Sequence, residues 1–298
     1  MVSRIVRAMM IAQIPRNELN DQFVNYFDQS FEFRRDTDFA TEHLTGIYRV
    51  EYSFPSGEPG GINEPAYLQR LEAFVEWYRM QPEALHVSAL TDIVKRLNRN
   101  LHGDDPTWYR LPENRELAAQ YLLLYELSLP FGLSFNDQID VDRSATRVSV
   151  ILQDLTTNQM LALEARAQDW LRAHLPPGLS AEGSSAAVIF SHIGARNIRA
   201  MPKGAFFAML LIAAVLVIAL RSVRIGLLSM IPNLAPILLM LGVIGAAAIP
   251  MDLFTMMVGS IAIGLAVDDT IHFMHNFRRY YEQSGDPVRA VSETLHTT

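Results

Sequence analysis

A chain of 298 residues that is 50% hydrophobic yet 19% charged, with a mean hydropathy of +0.12, is too apolar for an ordinary soluble protein. Its net charge of -7 argues against a nucleic-acid partner. The absence of cysteine excludes a disulfide framework or a cysteine-ligated metal site. The average hides two halves. Up to Lys203 acids and bases are interspersed with Pro/Gly punctuation, and from Gly204 to Val267 the chain is almost continuously apolar.

The first residues, MVSRIVRAMMIAQIPRNELND, carry Arg4 and Arg7 before an apolar stretch too short to span a bilayer, with no cleavage site for a secretory signal. GIYRVEYSF (46–54) alternates apolar and polar residues, the period of a strand, and the PSGEPGG that follows is a loop. Asn63 is placed to cap a helix with Glu64 and Pro65 in its first turn, and Leu68, Leu71, Phe74, Val75 and Tyr78 recur at helical spacing as core positions. LHVSAL (85–90) then completes a β-α-β pattern. The stretch 91–135 reads as helical. His102, Asp104 and Asp105 lie beside a glycine and before a proline, which is turn chemistry rather than a metal cluster. YLLLY (121–125) reads as a buried helix or an interface ridge. A second β-α-β follows: ATRVSVILQDL (145–155), a helix over 158–174 with Met160, Leu161, Leu163, Ala167, Trp170 and Leu171 inward, and SSAAVIFSHI (184–193) as a last strand. Two such units predict an α+β domain of ferredoxin-like layout over residues 1–203.

Three apolar runs follow, over about 204–220, 225–249 and 253–275, each long enough to be a transmembrane candidate. Pro232 and Pro236 fall in the first turns of the second. Gly242, Gly245, Gly259 and Gly264, with Ala246 to Ala248, are small residues that allow close helix approach. Arg221 and Arg224 occupy one connection and Arg278 and Arg279 follow the third run, while the turn at Pro250 carries only an acid. The positive-inside rule then puts the large domain outside the cytoplasm and residues 278–298 inside, as the start of an amphipathic segment. An outside domain with no span before it implies a chain that begins earlier than Met1. The helix opened by Asp286-Pro287 and stopped at Thr298 implies a continuation.

Two adjacent carboxylates, Asp268 and Asp269, stand within the third run. An ionisable group in lipid costs roughly 2.5–3.5 kcal/mol on insertion scales and usually faces protein or water, which makes it a functional candidate. Gly264 and Asp268 share a helix face, with His272 one turn further and His275 close to the same stripe; Asp269 lies about 100° round but three residues from His272. Like charges side by side in a low dielectric are expected to raise at least one carboxyl pKa, the requirement for a proton relay. The plainer alternative is a hydrated pair at the inner interface. For His272 and His275, hydration at a helix end is the plainer reading and relay support the sharper one.

The order of outside domain, inward span, IPNLAPILLMLGVIGAAAIPMDLFTMMVGSIAIGLAVDDTIHF and basic tail resembles the resistance-nodulation-division (RND) superfamily, in particular its MMPL-type and Patched-like members with a sterol-sensing-type helix bundle. The Gly-x-x-x-Asp-Asp signature is met by Gly264, Asp268 and Asp269; the mycobacterial lipid exporters have an Asp-Tyr pair there, whereas Asp269 and then Thr270 follow here. NELND near the start and SHIGARNIRAM entering the membrane add to the likeness. The resemblance implies a porter-type domain, three spans equivalent to the family's second to fourth helices, and ion coupling by Asp268 and Asp269. It also implies a missing second half carrying the relay partners, and placement in a bacterial inner membrane with the domain in the periplasm. The expected function is part of an ion-gradient-driven, most simply proton-driven, exporter of a hydrophobic or lipid-like substrate. Membrane lipids and an oligomer are compatible partners, and no cofactor or metal is expected. A receptor or sterol sensor built on the same bundle is the alternative. No Ser/His/Asp or metal-ligand spacing in residues 1–203 supports an enzyme.

Overall fold

The computed structural model describes residues 9–17, 20, 22–130, 135–220 and 222–297. Arg4, Arg7 and Arg221, together with Glu18, Leu19 and Asp21 of the NELND run and Thr298, lie outside the described residues. The chain divides into two compact units, one of residues 22–192 and the other of residues 1–21 with 193–298.

The 22–192 unit is α+β. Helix α1 (Glu32–His43) precedes strand β1 (Tyr48–Pro55), helix α2 (Pro65–Arg79), strand β2 (Ala84–Ser88), helices α3 (Leu90–Leu101) and α4 (Arg115–Ser128), strand β3 (Ala145–Leu152), helix α5 (Thr157–His174) and the two-residue strand β4 (Gly183–Ser184). The four strands form one sheet in the order β2-β3-β1-β4, with every neighbouring pair antiparallel. Each of the helices α2 and α5 therefore connects two strands that lie one place apart, with a third strand between them.

The alternation seen in the sequence is the physical basis of the sheet. Val50, Tyr52 and Phe54 of β1 and Thr146, Val148, Val150 and Leu152 of β3 point to one face and are buried, paired in register as Val50 with Val150, Tyr52 with Val148 and Phe54 with Thr146. Leu68, Leu71, Phe74, Val75 and Tyr78 of α2 and Met160, Leu163, Ala167 and Leu171 of α5 close over that face, as their spacing predicts. Three tyrosine hydroxyls are buried with partners: Tyr52 Oη lies 2.8 Å from Tyr78 Oη, and Tyr67 Oη donates to Phe54 O at 3.0 Å. On the opposite face Glu51 accepts from Arg147 Nε and Nη2 (2.7 and 2.9 Å) and from Ser149 Oγ (2.5 Å). Burial raises the Glu51 carboxyl, but these hydrogen bonds and the Arg147 charge outweigh it and hold it below the usual carboxylate range.

Several local expectations change. Asn63 does not cap α2; it lies buried in a 3-10 turn and donates to Gly60 O, and Glu64 takes the N-cap position ahead of Pro65. SSAAVIFSHI is not a strand beyond its first residue. Gly183 and Ser184 pair with Tyr52 and Glu51, after which Ser185 Oγ accepts from Val188 N and a 35-residue helix, α6 (Ala186–Leu220), begins. A capping serine followed by alanines and a long apolar run favours helix over an edge strand. His102, Asp104 and Asp105 do serve a turn: Asp105 caps a short 3-10 helix through Thr107 N, and His102 stacks on Trp108 with ring centroids 3.7 Å apart. In YLLLY, Tyr121 and Leu122 are buried while Leu123 and Leu124 are exposed, so one helix supplies both a core face and an outward ridge.

The other unit is helical. Helix α6 is followed by α7 (Val223–Leu228), α8 (Met230–Ala246), α9 (Leu253–Ser284) and α10 (Pro287–Thr297). Among the described residues, three stretches are long and apolar enough to cross a membrane: Ala186–Ile218, Gly226–Ala246 and Phe254–Ser284. At about 1.5 Å per residue α6 is about 52 Å long, more than a ~30 Å hydrocarbon core, so the composition break at 203/204 falls inside one continuous helix through Pro202. The second stretch is interrupted at Ser229, whose hydroxyl donates to Gly226 O, and its helix ends at Ala246 rather than Ile249. The third runs on to Ser284 rather than stopping near residue 275; Arg278 pairs with Glu282 one turn on, and Gly285, in a left-handed conformation (φ 66°), ends it. Asp252 caps α9 through Thr255 N at 2.7 Å and Asp286 caps α10 through Val288 N at 2.9 Å.

Candidate ion-coupling site

The site is built on α9, which packs against both α8 and α10. Successive helical residues turn by about 100°, so Ile263, Ala266, Thr270 and Phe277 line one face of α9, while Gly264, Asp268, His272 and His275 line the other. Burial follows this division: Ile263 and Thr270 are buried, and the Asp268 and His272 side chains remain 69% and 66% exposed.

His272 Nε2 lies 3.5 Å from Asp268 Oδ1, the i,i+4 pairing that the sequence allows. Of the two carboxylates that imidazole was free to approach, it meets Asp268. Asp269 instead borders an apolar groove of about 660 Å³, lined also by Leu228, Pro232, Phe273, Met274 and Leu295. The two acids, adjacent in sequence, thus serve different surroundings.

Gly264 does not seat a neighbouring helix, contrary to its expected part in close packing, because a Cβ placed there meets nothing within 4 Å. The close approach falls elsewhere. A Cβ at Gly242 would come within 2.4 Å of Met10 O and one at Gly245 within 2.3 Å of Gln13 O, so these glycines admit the N-terminal segment. Asn17 Nδ2 holds that segment by donating to Leu241 O at 3.0 Å.

The sequence reading missed a polar cluster on the inner face. Thr270 Oγ1 donates to Asn233 Oδ1 at 2.7 Å, and Asn233 Nδ2 donates to Ser229 O at 3.1 Å. All three residues are buried, Asn233 to 1% exposure. The signal was present: an asparagine between Pro232 and Pro236 in an apolar run is as conspicuous as a carboxylate, since a polar group in lipid needs a partner.

Chemically, the arrangement offers one exposed carboxylate beside an imidazole, a second carboxylate at the mouth of an apolar groove, and a hydrogen-bonded polar cluster that ties α9 to α8. Among the described residues no cluster of three or more His, Asp or Glu side chains is arranged to hold a metal ion. The sequence matches no protein-family model and no curated protein.

Proposed function

We propose that this chain is part of an ion-gradient-driven membrane transporter of RND type that exports a hydrophobic or lipid-like substrate, with the proton as the coupling ion. The observation that carries the reading is the acid pair Asp268-Asp269 on an apolar, membrane-length helix, with Asp268 and His272 on the face turned away from α8. A charge gained or lost on that face changes which surfaces can pack against it, and that couples protonation to helix packing. The free face of α9 is where further helices of the complete transporter supply the partners of the pair.

Two supporting features come from the rest of the chain. The sheet order β2-β3-β1-β4, with its two helix crossovers, supports reading the unit as a ferredoxin-like split β-α-β arrangement, the layout expected of a porter-type domain. The arginines around the spans favour the sheet domain on the side away from the cytoplasm, which under the RND resemblance is the periplasm of a bacterial inner membrane. In the full-length protein Asp268→Asn or Asp269→Asn abolishes gradient-driven substrate movement while insertion stays normal; unchanged transport in both variants refutes the reading.

A second reading, a lipid or sterol sensor, is favoured by the apolar groove beside Asp269. Lipid binding that persists in both Asn variants and ignores collapse of the proton gradient selects it.

A further inference from the structure

Thr270 is the residue next to the acid pair, yet its side chain points the opposite way from Asp268. On a helix it lies about 160° from Asp268 and about 100° from Asp269. Its hydroxyl donates to Asn233 Oδ1 at 2.7 Å across the α8–α9 interface and also lies 2.8 Å from Ala266 O on its own helix. Asn233 is in turn fixed through its amide to Ser229 O, at the break between α7 and α8. Ser229 Oγ donates to Gly226 O and anchors that break. The same face of α9 also carries the buried Ile263, the small Ala266 and Gly259, where a Cβ would come within 3.1 Å of Met240 Cε; such apolar or small groups have no direction, and a hydrogen bond does.

We propose that the Asn233–Thr270 hydrogen bond is a rotational lock: Asn233 and Thr270 are positioning residues that fix the turn of α9 about its axis, and so decide that Asp268 and His272 face away from α8 while Asp269 faces the groove. Without it, the α8–α9 contact is held by surfaces that slide at little cost. Apolar association in lipid has no hydrophobic driving force behind it, and a buried polar pair is one of the few groups that set register there. The consequence for ion coupling rests on the transporter reading; the orientation itself does not.

The chain contains no cysteine, so one reporter thiol can be introduced cleanly. Ile263→Cys places it on the α8-facing side, where Ile263 is 9% exposed. The full chain carrying this reporter is inserted in lipid vesicles, and the rate of its alkylation by N-ethylmaleimide is measured. Interhelical hydrogen bonds in a membrane bundle are modest, so loss of this one is expected to raise the population with α9 turned out, and with it the alkylation rate, about threefold, and about fifteenfold at the upper end of such bonds. Asn233→Leu and Thr270→Val are each expected to give that rise. The double variant is expected to give no more than the larger single, because all three variants lose the same interhelical bond; the contacts to Ser229 O and Ala266 O that go with it each lie on one side of the α8–α9 interface and do not fix the turn of α9. Thr270→Ser, which keeps the hydroxyl, is expected to retain the parent rate. Unchanged rates in both single variants, multiplying effects in the double variant, or a Thr270→Ser chain as fast as Thr270→Val overturns the lock. If Leu at position 233 prevents insertion, the Thr270→Val and Thr270→Ser pair decides alone. Substrate export followed in the same vesicles separates the two ideas: a parent chain that, completed by its remaining helices, moves no substrate under a gradient sinks the transporter reading and leaves the alkylation result to judge the lock.

Discussion

The buried Tyr52–Tyr78 pair gives a sharp test of how the sheet domain is held together. Both side chains are 1% exposed, and their hydroxyls lie 2.8 Å apart between β1 and α2. Tyr78→Phe removes one hydroxyl without opening a cavity, but leaves Tyr52 Oη in an apolar site. Loss of the bond together with an unsatisfied buried hydroxyl costs about 1–3 kcal/mol, whereas replacing both partners by apolar groups of the same shape is close to neutral. Tyr52→Phe is expected to cost about as much as Tyr78→Phe, and the double variant is expected to cost less than either single. Residues 22–192 form a compact unit with their own core, which predicts that this fragment folds alone. Urea unfolding of the fragment, followed by tryptophan fluorescence, reads the cycle through shifts in midpoint at constant slope. A double variant whose loss equals the sum of the singles refutes the argument, because it would show that each hydroxyl acts through some other contact.

Alkaline pH should unfold the same fragment: burial pushes the Tyr52 hydroxyl from its ordinary value near 10 up to about 12, and also raises those of Tyr67 and Tyr78. A folded-state pKa above the unfolded one means that the contribution is intact below pH 10 and is lost as pH rises through the folded value; a pH series of urea midpoints that stays flat between pH 9 and pH 12 contradicts this. Asp154 is the acidic counterpart. Burial raises its carboxyl despite a hydrogen bond from Gln22, and its Oδ1 has no hydrogen-bond partner in the structure. With the folded value above the ordinary 3.8, its charged form is disfavoured in the fold, so Asp154→Asn should match the parent in acid and gain on it as pH rises through the folded value; a variant less stable than the parent at pH 7 counts against this. In the helical unit, Gly245→Ala puts a methyl 2.3 Å from Gln13 O and should displace the N-terminal segment at a cost of about 1–3 kcal/mol. Faster tryptic cleavage after Arg16 reports that displacement, and an unchanged rate shows that the segment is held by other contacts.

Where one local pattern decides the outcome, sequence and structure coincide. Strict alternation over 46–54 and 145–155 gives β1 and β3, and a 3.6-residue apolar period gives the buried faces of α2 and α5. They part where two local signals compete. Asn63 and Glu64 are both acceptable ahead of Pro65, and the turn at Gly60 takes the asparagine; SSAAVIF reads equally as a short strand or a helix start, and continuity with the apolar run behind it favours helix. The acid pair was legible because charge in an apolar run is conspicuous, and so was the shared face of Asp268 and His272, because helical spacing fixes it. The inward partner of that face was not, because Asn233 and Thr270 stand 37 residues apart and only packing makes them neighbours.

What the sequence by itself determined, then, is the division into an α+β part and an apolar helical part, three helices of membrane-crossing length, and the placing of two carboxylates on the last of them. Composition and periodicity are properties of short windows, and windows of ten to twenty residues carry those statements. Only the tertiary structure decided that β2 and β4 flank the central pair in the order β2-β3-β1-β4, that Gly242 and Gly245 rather than Gly264 admit a close neighbour, and that Asp268 and Asp269 look into different surroundings. Each of these depends on which distant segment arrives at a surface and in what rotation. For α9 that rotation is marked by the hydrogen bond between Thr270 and Asn233, which has a direction that apolar surfaces lack.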